Sequence, residues 1–129
     1  MARSYVLDSS ALLATLFYEP GANATDAAMV RSVLSAVNYA EVIGSQVRRG
    51  ASIELATRIV DGLKLPIIPW DEELARAASD LCPLAWTHGL SLGDRACLAT
   101  ARHLRRTVLT AERKWKNLPK LGIEIQIIR

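Results

Sequence analysis

Short apolar runs alternate with amphipathic stretches along the whole chain. Tyr5-Val6-Leu7 reads as a buried strand that ends on Asp8, and Ala11-Leu12-Leu13-Ala14-Thr15-Leu16-Phe17 follows at once as an apolar helix. Glu19-Pro20-Gly21 breaks that helix into a turn. Residues 23–31 predict a short helix and residues 32–37 a second strand. Asn38 is read as the N-cap of the next helix, with Glu41 three residues on and Val42, Ile43, Gln46 and Val47 on one face. Arg48-Arg49-Gly50 closes that helix, with cations near its C-terminus and glycine beyond it. Ser52 caps a further helix in which Leu55, Ile59 and Leu63 recur every four residues.

Residues 65–70, flanked by prolines, predict a third strand. Asp71 caps a helix with the stripe Leu74, Ala77, Ala78 and Leu81, which Pro83 ends. Residues 84–90 read as a loop carrying Trp86, His88 and Gly89. Ser91 caps a long helix to about Arg105, Thr107-Val108-Leu109-Thr110 is the fourth strand, residues 111–116 a helical turn and residues 123–128 the fifth strand. Strands alternating with helices and the lack of hairpin signals predict a parallel sheet covered on both faces. The fold expected is α/β: one three-layer α/β/α domain over residues 1–129 with a central five-stranded parallel sheet. Right-handed crossovers put every strand's carboxyl end on one edge, where open α/β sheets bind ligands.

Composition narrows the class. The 129 residues are 50% hydrophobic and 22% charged, which suits a globular chain and not a disordered one. No apolar run approaches the ~20 residues of a membrane span. Met1 to Ser4 lead straight into the first strand, so the expectation is no signal peptide and a cytoplasmic protein. Cys82 and Cys97 have no metal-ligand spacing and read as free thiols. Of the net charge of +3, residues 102–129 carry eight basic side chains against two acids, a basic end that suits a polyanionic partner or a solvated surface.

The candidate chemistry lies in four acids. Asp8 closes strand one, Glu41 stands in the first turn after strand two, Asp94 in the first turn of the helix before strand four, and Glu112 just beyond strand four. Each alone reads as a helix cap, and Ser91-Leu92-Gly93-Asp94 has the form of a capping box. On one sheet edge the four would repel one another unless a cation neutralised them. Mg²⁺ or Mn²⁺ suits such an oxygen-donor set and supports in-line attack on phosphate. His88 and His103 lack zinc-site partners, and no nucleophile elbow or phosphate-binding glycine loop is present. Trp86 is read either as loop packing or as a platform for a base.

Three blocks carry a family likeness: Val6 to Ala14, Ser35 to Val42, and Gly89-Leu90-Ser91-Leu92-Gly93-Asp94-Arg95-Ala96-Cys97-Leu98-Ala99. In this order they resemble PIN-domain ribonucleases, in particular VapC-type toxins of toxin–antitoxin pairs. The resemblance implies a Mg²⁺- or Mn²⁺-dependent endoribonuclease with Asp8, Glu41 and Asp94 as metal ligands, a homodimer, and an antitoxin that blocks the site. It implies that Ser9 or Ser10 supports Asp8 and that Thr110 borders the metal pocket. Where the family carries a fourth Asp, this chain has Glu112, one methylene longer, which puts a second metal in question.

The mechanism expected is hydrolysis of an RNA phosphodiester, with Glu112 assisting. Ser9, Thr110 and Arg95 are candidate substrate contacts; Arg95 is read equally as the ion-pair partner of a neighbouring acid. Val42, Ile43 and Val47, with Leu55 and Ile59, are read either as the antitoxin groove or as core. A receiver-type signalling domain is excluded, because strand one ends in a single acid and no Lys follows Ile128. The remaining alternative is a catalytically inactive PIN-like module that binds RNA or protein.

Overall fold

The computed structural model describes residues 3–129. Five short strands, β1 (Tyr5–Leu7), β2 (Ser32–Ser35), β3 (Ile67–Ile68), β4 (Thr107–Thr110) and β5 (Ile125–Ile127), form one sheet in the order β3-β2-β1-β4-β5, with all pairs parallel. Among the described residues seven helices surround it: α1 (Ser9–Leu16), α2 (Ala22–Ala28), α3 (Ala36–Arg48), α4 (Ile53–Gly62), α5 (Glu72–Ser79), α6 (Cys82–His88) and α7 (Leu92–Leu104).

Side chains alternate across the strands, and that alternation builds two cores. Tyr5, Leu7, Leu34 and Leu109 pack on one face with Ala11 and Leu12 of α1, Val42 of α3 and Val60 of α4. Val6, Val33 and Val108 face the other side, against Leu81 and against Cys97, Leu98 and Ala101 of α7. The predicted three-layer α/β/α arrangement is therefore the observed one. β1, β2 and β4 are buried along their whole length, whereas the edge strands β3 and β5 are partly exposed. The three central strands thus deliver their carboxyl ends to a single protected edge.

Four local expectations change. β2 stops at Ser35, whose hydroxyl accepts from the Val37 amide at 3.2 Å, so Ser35 and not Asn38 caps α3. Glu41 consequently stands in the second turn of α3. The third strand shrinks to two residues between its prolines. The expected loop after Pro83 is α6, because proline at the second helical position removes an amide that has no helical partner anyway. Finally, α4 buries Ala56 and Val60, leaving Leu55 and Ile59 exposed at 46% and 38%. Val42 is core, so the two readings of that apolar face divide between residues.

Candidate active site

Asp8 occupies the N-cap position of α1 but makes no side-chain cap. Its carboxylate turns toward the sheet instead, where Oδ2 accepts the Ser10 hydroxyl at 2.6 Å and the Thr110 hydroxyl at 2.9 Å. Both hydroxyls are themselves fixed by the loop beyond β4. The Ala111 amide donates to Ser10 Oγ at 2.9 Å and the Glu112 amide to Thr110 Oγ1 at 3.0 Å. A strand end and a helix start 102 residues apart are thereby locked, and the backbone carrying Glu112 is held beside them. Thr110 is fully buried, with its hydroxyl turned to Asp8.

Glu41 is held from two sides. Its Oε1 accepts the Ser9 hydroxyl at 2.7 Å and the Asn38 amide at 2.9 Å. The two serines after Asp8 therefore divide their work, Ser10 on Asp8 and Ser9 on Glu41. Asn38, which sequence reasoning took for a cap, is fully buried and also reaches the carbonyl of Gly93 at 3.2 Å. Its Oδ1 has no partner among the described residues, an arrangement that costs about 1–3 kcal/mol. The available signal was the spacing of Asn38 and Glu41, three residues apart and hence on one helical face.

Asp94 forms the capping box expected of it: the Ser91 amide donates to Oδ2 at 2.9 Å and Ser91 Oγ accepts from the Asp94 amide at 3.1 Å. Asp8, Ser9, Ser10, Glu41, Asp94 and Glu112 line one cleft of about 220 Å³. Arg95 is not among them. Half-buried, it points its Nη1 at Cys82 Sγ, 3.0 Å away, and it is in no ion pair among the described residues. Trp86 stands 82% exposed on α6, so it is not packed within a loop.

The electrostatics of the cleft are one-sided. None of the four acids is ion-paired to Lys, Arg or His among the described residues. Burial raises the Asp8 carboxyl from 3.8 to about 6; the Ser10 and Thr110 hydrogen bonds oppose that rise and the charge of Asp94 adds to it. Beneath the cleft, burial and then the charges of Asp8, Asp94 and Glu41 push the Cys97 thiol well above its ordinary value. One buried thiol thus feels three carboxylates from three elements.

The donor set fits a hard divalent cation: oxygen ligands only, an excess of negative charge and no resident positive side chain. As placed, no three such side chains among the described residues stand close enough to share an ion. Asp8, Glu41 and Asp94 each lean on their own hydroxyls, amide or cap.

A parallel α/β/α sheet with carboxylates at its central carboxyl edge defines a class of fold and site, and the comparisons place the chain within it. Residues 5–121 match the PIN domain, and the chain belongs to that family, whose members are generally nucleases. The fold is shared with the DNA-bound VapBC from Salmonella typhimurium, at a TM-score of 0.73 and 16% identity over 99% of this chain and 100% of that one. FitAcB from Neisseria gonorrhoeae matches with a TM-score of 0.70 and 20% identity, covering 94% and 95%. VapBC2 from Rickettsia felis, bound to a fragment of its promoter DNA, gives 0.69 and 18%, covering 95% and 97%. No curated protein sequence matches the chain. Among the described residues no helix is long and apolar enough to cross a membrane.

Proposed function

We propose that this protein is a Mg²⁺- or Mn²⁺-dependent endoribonuclease acting as the toxin of a toxin–antitoxin pair. The observation that carries the reading is the convergence of Asp8, Glu41, Asp94 and Glu112 on one cleft without a cationic side chain to balance them. Asp8, Glu41 and Asp94 would hold the divalent ion. When bound, the ion would activate water and stabilise charge developing on a phosphate.

The remaining work falls to the chain itself. Ser10 and Thr110 hold Asp8 with Oδ2 toward β4, and Ser9 and Asn38 hold Glu41 with Oε1 toward α1. Glu112, half-buried at the rim, has the reach to orient a water. Lys114 and Lys116, exposed just beyond it, supply charge for the RNA backbone.

The antitoxin is assigned to the outer face of α3 and α4, where Val47, Ile53, Leu55 and Ile59 are exposed. That VapBC complexes share the fold supports an antitoxin partner, and the homodimer is what the family resemblance implies. A cytoplasmic location accords with an RNA substrate.

Single-stranded RNA and DNA of one sequence, each incubated with the purified protein in Mn²⁺ or EDTA, test the reading. Cleavage of RNA that needs the metal is expected. Intact RNA in Mn²⁺ would favour an inactive PIN-like binding module.

A further inference from the structure

We infer that Asn38 is a positioning residue of the acidic cleft, whose buried amide fixes the Glu41 carboxylate and so sets how Glu41 helps to hold a divalent cation. This role depends on the cleft being the metal site proposed above. Asn38 lies wholly inside the protein, yet its Nδ2 donates toward acceptors on three different helices: Ser9 Oγ at 3.0 Å, Glu41 Oε1 at 2.9 Å and the Gly93 carbonyl at 3.2 Å. Glu41 and the carbonyl can only accept here, so the amide must present its nitrogen to them.

Two hydrogens serve three acceptors, and the Ser9 hydroxyl completes the set by donating to Glu41 Oε1 at 2.7 Å. The result is a closed ring of Asn38, Ser9 and Glu41. Every hydrogen bond found on the Glu41 carboxylate falls on Oε1, which leaves Oε2 without a partner among the described residues. Gly93 borders the same carboxylate with a bare Cα, since a methyl group there would overlap it.

The remaining feature is the Asn38 oxygen, buried and without a partner among the described residues. A side chain serving only the packing of α3 gains nothing from a buried orphan acceptor. An amide retained for its donors accepts one as the consequence of aiming its nitrogen at Glu41.

The test uses the full chain as wild type, Asn38→Ala and Asn38→Ser, with Mn²⁺ titrated by calorimetry and RNA cleavage measured at saturating Mn²⁺. Partners that orient metal ligands typically change metal affinity or activity by about 10–100-fold when removed. Asn38→Ala is expected to lose Mn²⁺ affinity within that range and to lower kcat while leaving KM for RNA unchanged. Asn38→Ser, which keeps one donor, should fall between it and wild type, and it decides the matter if the alanine variant does not fold. Folded variants that bind Mn²⁺ as wild type does would overturn the inference and leave the nuclease reading standing. A wild type that binds no Mn²⁺ would overturn both.

Discussion

Gly93 in the first turn of α7 lies against the carboxylate of Glu41 on α3, so closely that a Cβ on Gly93 would occupy the space of the carboxylate. Two helices meet there through a backbone atom and a functional group. Glycine is the residue that permits it.

Gly93→Ala should therefore separate stability from function. Alanine favours a helix by up to about 1 kcal/mol over glycine, which offsets the loss of the Ser9 and Asn38 hydrogen bonds as Glu41 is pushed aside. The variant is expected to melt within a few degrees of wild type while cleavage falls by about 10-fold or more, as for a displaced metal ligand. Unaltered cleavage would show that the position of Glu41 does not matter.

Asp8 gives a pH prediction with a definite sign. Its folded value of about 6 lies above its ordinary 3.8, so its contribution to stability is fully present below 3.8 and is lost as pH rises through 6. The metal-free protein then carries roughly 3 kcal/mol of penalty near neutrality. Asp8→Asn should be more stable than wild type at pH 7 in EDTA, by up to that amount, with the gap closing toward pH 4. Denaturant melts at the two pH values read this directly, and parallel curves would show that Asp8 ionises without strain.

Thr110→Val removes the hydroxyl that serves Asp8 and the Glu112 amide while keeping the volume of a buried side chain. A loss of about 1–3 kcal/mol is expected, because two polar groups lose a partner. Thr110→Ser should recover most of it. A valine variant as stable as wild type would mean the hydroxyl holds nothing in place.

Asp94→Asn and Glu112→Gln rank the remaining acids. Asparagine can still accept the Ser91 amide, so Asp94→Asn should stay within about 1 kcal/mol in stability yet lose activity. Among the described residues the Glu112 carboxylate accepts no hydrogen bond, and it is only half-buried, so Glu112→Gln should cost activity less than Asp8→Asn does. Equal losses would make Glu112 a full member of the site.

The periodic features of the fold were legible in the chain. Alternation of Tyr5, Val6 and Leu7 marks a strand buried on both faces, and Ser52, Asp71 and Ser91 announce the helices they cap. What escaped depended on contacts remote in sequence. Asn38 resembles an N-cap until Ser9 and Gly93, 29 and 55 residues away, are seen around it. Pro83 reads as a breaker unless it is known to fall in the first turn of α6. That the four acids share one cleft was legible because each stands at a strand end or near a helix start. The division of labour between Ser9 and Ser10 was not, since adjacent residues at a helix start point in directions that only the neighbouring elements decide.

The central claim is tested most directly by the rate of RNA cleavage for wild type and Asp8→Asn, side by side, in Mg²⁺, Mn²⁺ and EDTA. Wild type should cut only with a metal. Asp8→Asn should be slower by more than about 100-fold, the upper range for losing a group that merely orients a ligand, while being the more stable protein at pH 7. An Asp8→Asn variant that cuts as fast as wild type, or wild-type cleavage that persists in EDTA, would contradict a metal-dependent site built on Asp8.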